Sequence, residues 1–303
     1  TLIILYTHKM KFLVTGSSGF IGKSFYNFLQ KKYGPENVLF ADKNSGCNLT
    51  IQDEVENLPD VDYVIHLAAH NGTKHFYDSP LSVIENSSVP TINLLKRYSG
   101  RVKCFIYAST CEIYADATEL GLADIPTKED APIVFKNSQN LRWSYAASKY
   151  LGELAVLASK KENNQDYIIL RYHNVYGESQ VDHFIPEFAE RALTGDFSLY
   201  GWENTRSFCY IDDAIRASYE LIFCNKALNK IIHLGNDEEI SIKDIATKIL
   251  DIMKLDGELI LKDAPEGSVS RRCPDISLMK KLIQYKPEFS LEEGLKLTLK
   301  KFL

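Results

Sequence analysis

The chain has 303 residues, enough for about two domains or for one large α/β unit with a smaller lobe. Its 45% hydrophobic and 25% charged residues are close to the globular average and exclude global disorder. With 35 basic and 40 acidic side chains the net charge is −5, which offers no general attraction to nucleic acid or an anionic membrane, so a bound phosphate must be held by a local site.

The apolar opening Thr1–Tyr6 is too short for a signal peptide and is followed by His8 and Lys9, so residues 1–9 read as a short extension ahead of Met10. From Lys11 onward short apolar runs alternate with longer amphipathic segments. Strands are expected at Lys11–Thr15, Asn37–Ala41, Tyr63–Leu67, Cys104–Ala108 and Ile168–Tyr172, and helices at Phe20–Tyr33, Val83–Tyr98 and Tyr145–Lys160. This is the pattern of repeated βαβ units on a parallel sheet. After Gly177 the pattern becomes mixed, with helical spacing at Ile185–Thr194, Asp212–Cys224 and Ile242–Met253 and a strand-like Ile231–Leu234. No run approaches the roughly 18 apolar residues of a membrane helix. The six cysteines form no CxxC pair and the seven histidines no zinc-type spacing with them, so no metal is expected and reduced thiols in a cytoplasmic protein fit best.

The first strand ends in Thr15-Gly16-Ser17-Ser18-Gly19-Phe20-Ile21-Gly22 and runs into a helix. Spaced glycines in that order allow a tight turn and close approach of backbone to a pyrophosphate, whose charge meets N–H groups at the helix start. Asp42 closes the next strand, 20 residues after Gly22, where a carboxylate accepts from adenosine ribose hydroxyls and repels a 2′-phosphate, favouring NAD over NADP. Further on, Tyr145 and Lys149 stand four apart on one helix face. An ammonium there, with the positive nicotinamide, is expected to draw the phenol pKa of about 10 towards working pH and make Tyr145 a base.

These motifs, with His66-Leu67-Ala68-Ala69, Ser109-Thr110-Cys111-Glu112-Ile113-Tyr114, Arg171-Tyr172-His173-Asn174-Val175-Tyr176-Gly177, Thr205-Arg206-Ser207-Phe208 and Arg271-Arg272-Cys273-Pro274-Asp275-Ile276, follow one another in order. In that order the chain resembles the extended short-chain dehydrogenase/reductase family, in its branch of nucleotide-sugar epimerases, dehydratases and decarboxylases. The resemblance spans nearly all of residues 10–303. It implies a doubly wound parallel (Rossmann) sheet with a smaller mixed α/β C-terminal substrate lobe. The NAD-binding domain would be 10–176 with 205–235 returning to it, and 177–204 and 236–303 would form the nucleotide-sugar lobe.

It also implies roles. Thr110 would hydrogen-bond the sugar 4-hydroxyl, Tyr145 would take its proton while the C4 hydride passes to NAD, and Lys149 would hold the nicotinamide ribose. Cofactor contacts would come from Gly16, Gly19, Phe20, Ile21, Gly22, Asp42, Asn48 and Leu49. Others would come from Leu67, Ala68, Ala69, Asn86, Tyr145, Lys149 and Tyr172. Asn174, Arg206 and Arg272, with Thr110, would bind a nucleotide-diphospho-sugar, and the protein would be a homodimer. A guanidinium fork suits phosphate geometry.

The reaction turns on the residues after Thr110. In the family's 4,6-dehydratases the tripeptide is usually Thr-Asp-Glu, the Asp acting as acid towards the C6 hydroxyl and the Glu as base at C5; here a thiol, Cys111, stands at the acid position before Glu112. Glucuronate decarboxylases resemble Thr-Ser-Glu, and Arg142-Trp143 also looks like that group. Plain 4-epimerases usually carry small neutral residues there. Ala115 stands where a glycine commonly follows the tyrosine, and Glu178 where a proline commonly follows Gly177. Two titratable side chains at Cys111 and Glu112 favour proton chemistry at C5 and C6 after C4 oxidation, with dehydration first. A UDP-hexose 4-epimerase comes next, then a UDP-glucuronate decarboxylase, with an NAD-sensing scaffold as the non-enzyme alternative. His70, His173 and His183 are further acid–base candidates, each weighed against a structural role.

Overall fold

The computed structural model describes residues 10–137, 139–265 and 267–303; residues 1–9, read as an extension, lie outside the described residues. Six strands form the central sheet: β1 (Phe12–Thr15), β2 (Val38–Ala41), β3 (Tyr63–His66), β4 (Cys104–Thr110), β5 (Tyr167–Tyr172) and β6 (Lys230–Leu234). Their order is β2-β1-β3-β4-β5-β6 and every pairing is parallel. Four long helices cover it, α1 (Phe20–Tyr33), α2 (Pro80–Tyr98), α3 (Trp143–Asn163) and α4 (Ile211–Ile222).

The strands read as apolar runs because both faces of the sheet are buried. Leu13, Val64, Phe105, Tyr107 and Ile169 pack with Leu94, Tyr98 and Val156 of α2 and α3. Their neighbours Phe12, Val14, Ile65, Ile106, Ile168 and Leu170 point to the opposite side, against Phe25 and Leu29 of α1 and Ala214 and Leu221 of α4. This is the expected doubly wound architecture. The chain leaves β1 for β2 on one side and then crosses to β3 on the other, so a crevice opens beyond the carboxyl ends of β1 and β3.

Outside this sheet, Thr205–Ser207 lies between Glu239–Ser241, antiparallel, and Arg271–Arg272, parallel. The helices Phe184–Leu193, Ile242–Met253 and Leu291–Leu299 send Phe188, Ile245 and Leu295 into the same apolar cluster as α1 and α4. The C-terminal elements therefore share a core with the central layer. No helix among the described residues is long and apolar enough to cross a membrane.

Two boundaries differ usefully from the sequence pattern. The strand expected to stop at Ala108 continues through Ser109 and Thr110, because these polar residues stay in register with Arg171 and Tyr172 of β5. The helix expected from Val83 starts at Pro80, whose fixed φ and missing N–H suit a first helical position.

A buried polar network ties β4, β5 and α3 together. Arg171 donates to Glu153 through Nε at 2.9 Å and through a second nitrogen at 2.7 Å, and Ser109 Oγ donates to the same carboxylate. Arg171 also donates to Tyr114 Oη and to the Glu129 carbonyl at 2.7 Å. Tyr114 Oη in turn lies 3.1 Å from His233 Nε2 of β6.

Candidate active site

The glycine turn fits a dinucleotide. Gly16 has φ +71°, and a Cβ there would lie 2.7 Å from the Ala68 nitrogen; a Cβ on Gly22 would lie 2.0 Å from the Gly16 carbonyl oxygen. Only glycines let the β1–α1 turn close on itself and on the loop after β3. Gly19 caps α1 without a side-chain hydrogen bond, and the first turn, with Phe20 and Ile21, carries no acidic residue. Its N–H groups and dipole are thus left for an anion.

Asp42 follows β2 directly. Its carboxylate accepts from Ser17 Oγ, Ser18 N and Ser18 Oγ, each at 2.8 Å, and from Ser45 N at 3.1 Å. Burial would raise its pKa, but these donors from Ser18 and Ser17 outweigh it, so it stays ionised beside the turn. Asn86 joins this end of the crevice by accepting from Lys43 Nζ at 2.5 Å, and Leu49 by accepting at its carbonyl from Asn93 of α2. Asn48 uses its side-chain oxygen on Thr50. The serines that hold Asp42 were not singled out in the sequence, where they read only as filler between glycines.

At the other end, α3 presents Tyr145 and Lys149 towards the end of β4. Phe76, from the short helix Thr73–Asp78, stacks on Tyr145 with ring centroids 5.2 Å apart and planes 10° from parallel, and Ala69 packs on the same pair. The loop after β3, with Leu67, Ala68 and Ala69, thus links the glycine turn to the tyrosine. Burial chiefly, then Glu112 and Cys111, hold the phenol above its ordinary pKa, while a hydrogen bond with Thr110 pulls the other way. The lowering expected from Lys149 has a physical obstacle: burial pushes that ammonium down to about 7, against the pull of Glu153. Its Nζ sits 4.3 Å from the centre of the Tyr107 ring.

Thr110 ends β4, and its Oγ1 accepts from the Glu112 N–H at 3.2 Å. This folds Cys111 and Glu112 into the crevice wall, where Cys111 is buried and Glu112 half-buried. Glu112 accepts from Arg272 at 2.8 Å and from Arg142, at the start of α3, at 3.4 Å. Burial alone would raise the Glu112 carboxyl, yet Arg272 and Arg142 outweigh it and hold it below the usual range. Burial keeps the Cys111 thiol above its ordinary value, with Arg272 opposing.

Arg206 and Arg272 are opposite each other in adjacent parallel strands. Burial and then Arg272 push Arg206 down to about 10. Arg206 donates to the Val269 and Thr205 carbonyls, both at 2.7 Å. Two guanidiniums side by side, of which Arg206 makes its hydrogen bonds to carbonyls, offer positive charge suited to a diphosphate. Asn174 sits next to this pair, donating to the Ser207 carbonyl at 2.9 Å.

Thr110, Cys111, Glu112, Tyr145, Lys149, Arg206 and Arg272 therefore converge. Tyr172 stands apart: its ring lies in the core and its hydroxyl is 2.9 Å from Ser218 Oγ of α4. His70 meets Ser82 at 3.2 Å on the loop after β3, and His183 precedes the helix Phe184–Leu193. Glu153 was not singled out in the sequence, although its spacing four residues beyond Lys149 placed it on the same helix face.

The family model described as the NAD dependent epimerase/dehydratase family matches residues 12–235. The chain is 30% identical to the UDP-N-acetyl-alpha-D-glucosaminuronate decarboxylase of Bacillus cytotoxicus, over 97% of this chain and 98% of that one. It is also 30% identical to the dTDP-D-glucose 4,6-dehydratase of Dictyostelium discoideum, over 80% of this chain and 62% of that one. Among solved structures, the UDP-glucose 4-epimerase of Thermotoga maritima, determined with UDP-glucose, superposes with a TM-score of 0.84 at 25% identity, covering 97% and 98% of the two chains. The chain belongs to the NAD dependent epimerase/dehydratase family. It is an enzyme of the branch that holds nucleotide-sugar epimerases, dehydratases and decarboxylases, and its cofactor is NAD.

The buried lysine yields a stability prediction. Lys149 titrates near 10.5 when unfolded and near 7 when folded, so between those values the unfolded chain binds more protons and stability rises with pH. The cost of burying it is full below about pH 7 and fades towards 10.5. In cofactor-free protein Lys149→Met should raise the thermal midpoint most at about pH 6 and progressively less towards about pH 10, as calorimetry can follow. A gain independent of pH would contradict this.

Proposed function

We propose that the chain oxidises a nucleotide-diphospho-uronate at C4, releases its C6 carboxylate as carbon dioxide and reduces the ketone again. The observation that carries this reading is the clamp on Glu112: two arginines hold its oxygens and keep it a weak base. Elimination of water needs a base at C5 and an acid at the C6 hydroxyl, and a buried thiol with a raised pKa is a poor acid. Loss of carbon dioxide from a 4-keto uronate needs neither, because the electrons of the C5–C6 bond flow directly towards the adjacent ketone. It needs a carboxylate held in place, which surplus arginine charge supplies.

Tyr145 is the base for the 4-hydroxyl proton, with Thr110 sharing the hydrogen bond that orients it, and Lys149 is placed for the nicotinamide ribose. Bound NAD supplies the hydride acceptor and donor, and its positive ring favours the phenolate of Tyr145. Arg206 and Asn174 take the diphosphate, which leaves Arg272, beside Glu112, for the sugar's C6 carboxylate. Cys111, kept protonated, gives its proton to C5 after carbon dioxide leaves, a transfer that the strongly basic enolate drives even from a weak acid, and the thiolate regains a proton from water. Residues 10–176 with 208–235 form the cofactor half and 177–207 with 236–303 the sugar-nucleotide half, since Thr205–Ser207, expected in the first, pairs with Glu239–Ser241 and Arg271–Arg272.

Dehydration is the second reading, favoured by the protonated thiol standing next to a carboxylate, and it requires Glu112 to leave Arg272. Mass spectrometry of products from UDP-, dTDP-, GDP- and CDP-linked sugars, uronates included, separates the cases. Loss of carbon dioxide is expected; loss of water, or unchanged mass with a new retention time, would overturn the proposal in favour of a dehydratase or an epimerase. Tyr145→Phe should lower turnover roughly 10²–10⁴-fold while NAD stays bound.

We also propose a homodimer formed through the outer faces of α2 and α3, where Leu81, Ile84, Leu151 and Leu154 are exposed. Sedimentation velocity should show a dimer that Leu154→Asp with Ile84→Asp converts to monomer; a wild-type monomer would contradict it.

A further inference from the structure

His173 is a buried polar side chain that the proposed chemistry does not use. It is 1% exposed, and among the described residues neither of its ring nitrogens has a hydrogen-bond partner. Leaving such atoms unpaired costs about 1–3 kcal/mol each, so an imidazole in this state calls for a reason. Its position is tightly fixed. The backbone N–H donates to the Leu234 carbonyl at 2.9 Å, and a Cβ on Gly235 would come within 2.8 Å of the His173 Cβ. The ring packs edge-on to His233, with centroids 4.7 Å apart, but His233 has its own partners in Tyr114 and the Asp275 carbonyl.

The free imidazole lines a cavity of roughly one water's size, together with Cys111, Thr127 and Arg272. Two of these walls belong to the candidate active site. Cys111 follows Thr110 in the chain, and Arg272 is the residue clamping Glu112. The cavity therefore adjoins the place where a sugar held by Thr110 and Tyr145 would carry its C6 group. It has room for an oxygen atom and none for a ring. Burial chiefly, then His233, Arg272 and Arg171, keep the ring uncharged. A neutral imidazole offers one N–H donor and one acceptor.

We infer that His173 is a specificity-determining residue, which with Arg272 forms a subsite for one oxygen of a C6 carboxylate. This rests on the uronate reading given under Proposed function. Arg272 supplies charge and His173 an N–H, so that a carboxylate is preferred to the hydroxymethyl group of a neutral hexose. An aromatic hydrocarbon ring at this position would fill the same space without that preference.

The test uses NAD-loaded protein and isothermal titration with the glucuronate and glucose derivatives of UDP, dTDP, GDP and CDP, and with each nucleoside diphosphate alone. For the tightest-binding nucleotide, the wild type should prefer glucuronate to glucose. His173→Phe should reduce that preference roughly ten- to hundredfold, the range for a lost hydrogen bond to a charged group, and leave affinity for the nucleoside diphosphate unchanged. His173→Gln, which keeps a donor and an acceptor, should retain most of it. Because Phe removes two unpaired polar atoms, the His173→Phe protein should melt no lower than wild type, which checks that it folds. If the wild type prefers and decarboxylates the uronate while His173→Phe keeps the full preference, this inference fails alone. If the wild type shows no preference and releases no carbon dioxide, the uronate reading fails and carries the inference with it.

Discussion

The Glu153–Arg171 ion pair is the joint on which the active centre depends. Both partners are almost wholly buried, and the carboxylate also receives Ser109. The three residues belong to α3, β5 and β4, so one cluster fixes the helix carrying Tyr145 and Lys149 against the strand ending in Thr110. Replacing such a pair with apolar groups is often neutral, whereas removing one member leaves a buried charge and costs about 3–5 kcal/mol. The pair therefore specifies position more than it adds stability. Tyr114 and His233 extend the same network to β6, which brings the wall beside Cys111 into the same rigid frame.

Charge explains the rest of the crevice. One end is a turn of glycines leading into the first turn of α1, closed by an ionised Asp42. The other end holds Arg142 and Arg272 on the Glu112 carboxylate, with Arg206 beside Arg272. Burial chiefly, and then the neighbouring Arg272, lower the pKa of Arg206. An anionic ligand raises it again. Arg142 and Arg272 turn Glu112 from a candidate base into a partner for arginine, and this moves the preferred reading from dehydration, ranked first on the tripeptide Thr110-Cys111-Glu112, to decarboxylation.

Much of this was legible in the sequence. Phe20–Tyr33 and Ile242–Met253 have the limits their apolar spacing gives. Parallel strands buried on both sides announce themselves as apolar runs, and the glycine turn and the tyrosine–lysine pair carry spacing that local geometry demands. What spacing could not convey was pairing at a distance. Glu112 and Arg272 are 160 positions apart, and Ser109 and Thr110 looked like loop residues because their partners lie in β5. Nor could it convey burial: Lys149 was legible as the partner of Tyr145 but not as an interior side chain, and Glu153 was not singled out at all. His173 was visible as an acid–base candidate, but its unpaired nitrogens become apparent only when its surroundings are known.

In the proposed reaction the sugar is oxidised at C4 and reduced again in one visit, by a cofactor that stays bound. A nucleotide-diphospho-glucuronate deuterated at C4 tests it directly, read by mass spectrometry and NMR of the product. The deuterium should still be on C4 of a pentose product, and no free NADH should accumulate. Deuterium lost from C4, or NADH released in step with product, would contradict it.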